Sequence, residues 1–168
     1  SIPGNAPQIM TGAFGHVSAL QSNDGENIRM EVSKYADVRL QRYQFNLPSN
    51  IEIESITAHY EASVSTNTST GLTFELTTAS GNGDTVATTV TSENPTEYSL
   101  NFLPAVFPVG LDVATVMHEE FGLRIRLTTP GVSIDFDYIN LEIKYTTREG
   151  MLEITQGQVE ITQGLIVL

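Results

Sequence analysis

Val132-Ser-Ile-Asp-Phe-Asp-Tyr-Ile-Asn-Leu-Glu-Ile-Lys-Tyr145 is the stretch that decides the fold class. Through Val132, Ile134, Phe136 and Tyr138, large apolar residues fall on every second position, against Ser133, Asp135 and Asp137. That two-residue period belongs to an extended chain, because successive side chains of a strand point to opposite faces. From Ile139 onward the apolar row continues as Leu141, Ile143 and Tyr145, on the opposite parity. A strand whose apolar side changes between Tyr138 and Ile139 implies a β-bulge there, or two halves facing different neighbours.

The same alternation recurs outward from this stretch. Leu72, Phe74 and Leu76 against Thr73, Glu75 and Thr77 make the cleanest half-buried strand. Ile28, Met30 and Val32 make another, and Phe121 to Leu127 a third with Arg124 and Arg126 outward. Ile51 to Val64 carries Ile56, Ala58, Tyr60, Ala62 and Val64 in one row, with Thr57 and His59 in the other. Val86 to Val90 and Tyr98, Leu100 and Phe102 add strands, and Val38 to Phe45 adds one whose apolar side changes near Gln41. Turns separate them at Leu47-Pro-Ser-Asn50, Gly81-Asn-Gly-Asp84 and Pro130-Gly131.

Leu103 to Phe121 departs from the pattern. Pro104 and Pro108 break a strand, and Val113, Val116 and Met117 stand at helical spacing after Asp112, a good N-cap. The expectation is an all-β antiparallel sandwich with about eight strands, one short helical turn near 112–118, and extended N- and C-terminal arms. The units are an arm or loop over 1–27, the sandwich over 28–147 and a C-terminal β-arm over 148–168.

The 168 residues hold 20 acidic and 8 basic side chains, for a net charge of −12, with no Cys and no Trp. Nucleic acid and anionic membranes are disfavoured as partners, since both are met by clustered Lys and Arg. Without Cys there are no disulfides, thiolate nucleophiles or cysteine-ligated metals. Ser1-Ile2-Pro3-Gly4 shows no basic region followed by an apolar one, so no signal peptide is expected. A small first residue fits either loss of an initiator Met or trimming of a precursor.

Near the C-terminus Leu152-Glu-Ile-Thr-Gln-Gly157 repeats as Val159-Glu-Ile-Thr-Gln-Gly164. β-Branched residues and glycine oppose a helix, so two short strands are expected. A lone hairpin buries too little to stand by itself. The favoured reading is an arm that adds strands to a neighbouring molecule, and the second is a hairpin folded on its own domain. Leu152, Ile154, Val159, Ile161 and the run Leu165, Ile166, Val167 and Leu168 are the expected partner-binding residues.

Catalytic chemistry is sparse. His16, His59 and His118 fall in three elements without ligand spacing, and read as scattered surface or strand residues. Ser22-Asn-Asp-Gly-Glu-Asn27 has the oxygen-rich look of a calcium loop but not its register, and an acidic turn is the simpler reading. Asp135 and Asp137 project alike from one strand and are expected to be solvated, meeting Arg124 or Arg126 across strands. Glu119 and Glu120 read as plain surface. Asn67-Thr-Ser69 fits a glycosylation acceptor, a pattern common by chance in a Thr-rich chain. Tyr35, Tyr43, Tyr60, Tyr98, Tyr138 and Tyr145 are read as packing residues rather than a sugar platform, with Tyr98 the exposed one to test. No nucleophile elbow or phosphate loop occurs, and no catalytic residue, metal or cofactor is expected.

From about Val17 to Tyr145, the order of segments resembles a β-sandwich domain of virion structural proteins of tailed bacteriophages and of some bacterial surface proteins. Leu40–Phe45, Asn46-Leu-Pro-Ser-Asn50, Ile51–Tyr60, Phe121–Leu127 and Val132–Tyr145 carry the resemblance. It implies a sandwich of jelly-roll type and a non-enzymatic role as a capsid decoration subunit on the virion surface. The partners so implied are a major capsid protein or further copies of this chain, a trimer among them. Two alternatives stand beside it: a carbohydrate-binding module at an extracellular or cell surface, and a self-polymerising filament subunit.

Overall fold

Antiparallel pairing organises the chain as one long folded ribbon. The structure, a computed structural model, describes residues 9–11, 27–31, 37–66, 68–148, 154–155 and 158–159. The strands are β1 (Ile9–Thr11), β2 (Ile28–Glu31), β3 (Asp37–Gln41), β4 (Ile51–Val64), β5 (Thr70–Thr77) and β6 (Asn82–Val90). They continue with β7 (Thr96–Phe102), β8 (Gly122–Leu127), β9 (Ser133–Thr147), β10 (Ile154–Thr155) and β11 (Gln158–Val159). β2 pairs with β9, β3 with β8, β4 with β7 and β5 with β6, outermost with outermost and innermost with innermost. Rolled up, this ribbon gives one sheet in the order β2-β9-β4-β7 and another in the order β1-β3-β8-β5-β6. That is the jelly-roll sandwich.

Alternation carries this architecture in detail. Leu72, Phe74 and Leu76 are buried from β5, as are Leu123, Ile125 and Leu127 from β8. Ile56, Ala58, Tyr60, Ala62 and Val64 of β4 face them from the other sheet, with Ile139, Leu141 and Ile143 of β9. Tyr60 joins the two layers. Its ring lies 5.1 Å from Phe74, 6.0 Å from Phe136, and stacks on Tyr98 at 5.5 Å. Its hydroxyl, pushed up by burial, shares a hydrogen bond with Thr88 of β6. Aromatic contacts of this kind add to the free energy of simple burial.

The changes of parity have physical causes. Tyr60 opposes Ile139 while Ala62 opposes Phe136, so β9 carries one extra residue opposite Glu61. This is the bulge expected at Tyr138–Ile139. A second irregularity between Ile53 and Ser55 explains why the buried row of β4 shifts from Ile51 to Ile56. Near Gln41 the chain does not bulge but leaves the sheet: Arg42 and Gln44 take φ of 60° and 53°. That turn swaps the buried side from Val38 and Leu40 to Tyr43, Phe45 and Leu47 while the chain crosses between layers.

The helical turn is where expected, α1 (Val113–Met117), capped by Asp112, whose carboxylate accepts from the Thr115 N–H at 2.8 Å. Pro104–Val106 adds a 3-10 turn that the spacing of apolar residues does not signal. Pro130-Gly131 turns with Gly131 at φ 78°, whereas the loop between β5 and β6 falls at Thr78–Gly81, three residues before the expected Gly81–Asp84, so that Asn82, Gly83 and Asp84 belong to β6. Within the expected N-terminal arm, Ile9–Thr11 adds an edge strand beside β3.

Two substitutions test the packing. A Cβ on Gly122 would collide with the Leu40 carbonyl oxygen of the paired strand. Gly122→Ala is expected to cost about 1–3 kcal/mol in urea unfolding, the range for forced overpacking. Tyr43 is 1% exposed and its hydroxyl has no hydrogen-bond partner among the described residues. Because an unsatisfied buried hydroxyl is costly, Tyr43→Phe is expected to hold stability or raise it by about 1 kcal/mol. A large loss in the same assay would contradict this.

Candidate functional site

Two outer faces and one groove compete for the role of functional site. On the five-stranded sheet the outward positions are charged and satisfy one another. Arg124 donates to both Asp37 carboxylate oxygens, from Nε at 2.8 Å and from Nη2 at 2.5 Å. Arg126 donates to Glu75 at 3.2 Å, and Arg124 lies 3.5 Å from the same oxygen. The Asp37 carboxyl is held below the ordinary aspartate range by those hydrogen bonds from Arg124, against some desolvation, with Arg124, Arg126 and Arg39 adding attraction.

The outer face of the other sheet differs in kind. The outward row of β4 reads Thr57, His59, Glu61 and Ser63, all half-buried. Register sets Asn101 and Glu142 beside Thr57, Ser99 and Asn140 beside His59, and Glu97 beside Glu61. The β9 bulge turns Tyr138 out of the apolar row to which its spacing assigned it, and sets it with Asp137 opposite Glu61. Tyr138 donates to Glu97, and its hydroxyl is pushed up by partial burial and by Glu97, Glu61 and Asp137. It therefore stays protonated. Thr57 and Asn101 share a hydrogen bond of 3.2 Å. His59 is 37% exposed, and its Nε2 lies 3.9 Å from Glu142 without a hydrogen bond among the described residues.

Other expected candidates are dispersed. Asp137 is not solvated but buried, 3% exposed, and Asp135 does not meet Arg124 or Arg126, which lie on the other sheet. Asp135 takes a two-pronged pair from Arg29 of the adjacent β2, at 2.7 and 2.8 Å. Tyr98 is not an exposed platform, because it points inward and stacks on Tyr60. Glu119 pairs with Arg42 at 3.2 Å, and His118 caps α1. Among the described residues no three His, Asp or Glu side chains converge to hold a metal. His16, Ser22–Glu26 of the acidic turn and Asn67 lie outside the described residues. So do Leu152, Ile161 and Leu165–Leu168, while Ile154 and Val159 pair with each other in register.

The groove lies at one end of the sandwich. Leu47, Ile51 and Ile53 form one side, Phe107, Leu111 and Met117 the other, with Asp112 and Arg148 among its polar lining residues and a volume of about 710 Å³. Met117 is 44% exposed, and its sulfur accepts a hydrogen bond from the Leu47 N–H at 3.5 Å.

Comparison with known proteins gives structural neighbours only. No family model matches the chain, and no curated protein matches it. Among solved structures it is similar to the N-terminal cellulose-binding domain of β-1,4-glucanase C from Cellulomonas fimi. The identity is 12%, over 81% of this chain and 88% of that one, with a TM-score of 0.46. A structure described as CBM4 is 12% identical over 85% and 94% of the two chains, with a TM-score of 0.41. The CBM22-1 xylan-binding domain of Xyn10C from Paenibacillus barcinonensis is 9% identical over 83% and 96%, with a TM-score of 0.37. The capsid-decoration reading draws no support from these comparisons.

The ion-pair face gives a pH test. A carboxyl with a lowered native pKa contributes stability in full above its ordinary value of 3.8, and loses it as pH falls through the native value. Asp37→Asn is expected to shrink the drop in urea-unfolding stability between about pH 6 and about pH 2. An acid limb identical to that of the parent chain would show that Asp37 does not contribute.

Proposed function

We propose that this chain is a non-catalytic carbohydrate-binding module, and that the outer face of the β2-β9-β4-β7 sheet is its binding surface. The observation that carries the reading is the set of rows Thr57–Asn101, His59–Ser99–Asn140 and Glu61–Glu97–Tyr138. Amides, hydroxyls, carboxylates and an imidazole supply donors and acceptors side by side, which is what a ligand built of hydroxyl groups requires. On the opposite face the arginines and carboxylates bind one another, so that face offers less.

Shape and charge narrow the ligand. A sheet face is open, whereas small molecules are held in concave pockets, so a polymer lying across the strands fits better than a small substrate. Glu61, Glu97 and Glu142 make the face acidic, which repels sulfated, phosphorylated or uronic polymers and leaves neutral ones. Hydrolysis is not favoured here. Glycosidase carboxylates flank the scissile bond from two sides, whereas Glu61 and Glu97 stand side by side beneath any ligand on this sheet. The reading implies an extracellular or cell-surface setting, where such polymers are met.

The test is affinity electrophoresis and calorimetry with neutral polysaccharides, starting with xylan and soluble cellulose oligomers. His59→Ala and Tyr138→Ala are each expected to weaken binding by about tenfold or more, roughly 1.4 kcal/mol. Thr85→Ala, exposed on the other sheet, is expected to leave binding unchanged. Retardation by no neutral polysaccharide, or equal loss with Thr85→Ala, would overturn the proposal.

A further inference from the structure

We propose that the apolar groove at the end of the sandwich is a docking site for this chain's own segment Leu165–Leu168, closed within one molecule. The groove is lined by Leu47, Ile51, Ile53, Phe107, Leu111 and Met117, and such a surface gains free energy when water leaves it. Its volume of about 710 Å³ lies in the range of pockets that enclose a compact apolar group.

Three observations name the occupant. Arg148 lines the groove, and its backbone N–H donates to the Asn50 carbonyl at 2.9 Å, so the chain leaves the sandwich at that point. Ile154 then pairs with Val159, which reverses the chain direction. Five residues separate Arg148 from Ile154, and five separate Val159 from Leu165. Leu165 is 17 positions beyond Arg148, a tether long enough to reach the groove, since an extended chain spans up to about 3.3–3.6 Å per residue. Leu165-Ile-Val-Leu168 is the longest apolar run in the sequence, and no charged residue stands between Ile161 and Leu168. An uncharged apolar segment can enter such a groove without stripping water from a charge.

The chain has no Cys and no Trp, so one of each can be introduced as a unique probe. Ala114 is exposed and lines the groove, so Ala114→Trp is one probe position, with Met117→Trp as a second. Gly164→Cys, just outside the docking run, carries a nitroxide, which quenches nearby Trp fluorescence. Strong quenching that does not change with protein dilution is expected, and Leu111→Asp is expected to abolish it while far-ultraviolet circular dichroism stays unchanged. Quenching that fades on dilution, or that appears only between separately labelled molecules, would overturn the proposal in favour of a second copy. Absence of quenching at both Trp positions would overturn docking altogether.

Discussion

The pairing of β4 with β9 is the constraint on which the rest of the sandwich depends. They are the two longest strands, 14 and 15 residues, and they form the centre of the four-stranded sheet. Every other strand of that sheet takes its register from one of them: β2 from the start of β9, β7 from the second half of β4. Pairs this long accumulate twist, and the two irregularities, at Ile53/Ser55 and Tyr60/Ala62, divide them into shorter regular stretches. Between those points Ile56, Ala58 and Tyr60 pack against the other layer. The same bulge that keeps Phe136 and Ile139 both buried sends Tyr138 outward. Core packing and the candidate surface thus come from one local event in β9.

The two outer faces spend their polarity differently. Arginine and carboxylate on neighbouring strands of the five-stranded sheet neutralise each other, which steadies a solvent-facing layer by modest amounts and leaves little to offer a ligand. On the other sheet the central strand presents Thr57, His59 and Glu61, with no arginine directly opposite them. The net charge of −12 is therefore distributed unevenly in its effect. On one face Asp37 and Glu75 pair with arginines across the strands; on the other Asp135 pairs with Arg29 and Glu54 with Lys144, while Glu97 accepts from Tyr138.

Most of the fold is legible in the sequence because a half-buried strand must alternate, and this chain alternates almost everywhere. The β5 pattern, the Asp112 cap of α1, the Pro130-Gly131 turn and the bulge near Tyr138 each rest on a local rule, and each is found. Positions set by long-range register are not legible in this way. Asp135 meets Arg29 because β2 pairs with the first part of β9, and only the topology says that Arg124 and Arg126 belong to the opposite layer. Tyr98 and Tyr138 exchange roles for the same reason. Period alone places Tyr138 in the apolar row, and only the side on which the bulge inserts its extra residue decides where the ring goes. The parity change at Ile139 was the available signal for that residue. The rows around His59 had none, since Thr57, Asn101 and Asn140 come together only through pairing.

The groove follows from topology as well. In a rolled ribbon the chain must cross between layers, and crossing segments cannot be strands of either sheet. Arg42–Asn50 and Leu103–Phe121 are two such crossings, and they pack on each other. The Arg42 N–H donates to the Glu119 carbonyl at 3.1 Å, and Phe45 meets Phe121 edge-on at 6.2 Å. Their apolar residues close one end of the core but meet incompletely over the first residues of β4. Because Ile51 pairs with Thr147, the start of β4 is also where β9 ends. The gap in the end closure and the point at which the chain leaves the sandwich are therefore neighbours by construction, whatever the sequence beyond Arg148. What the sequence adds there is an apolar run of a kind that such a gap can hold.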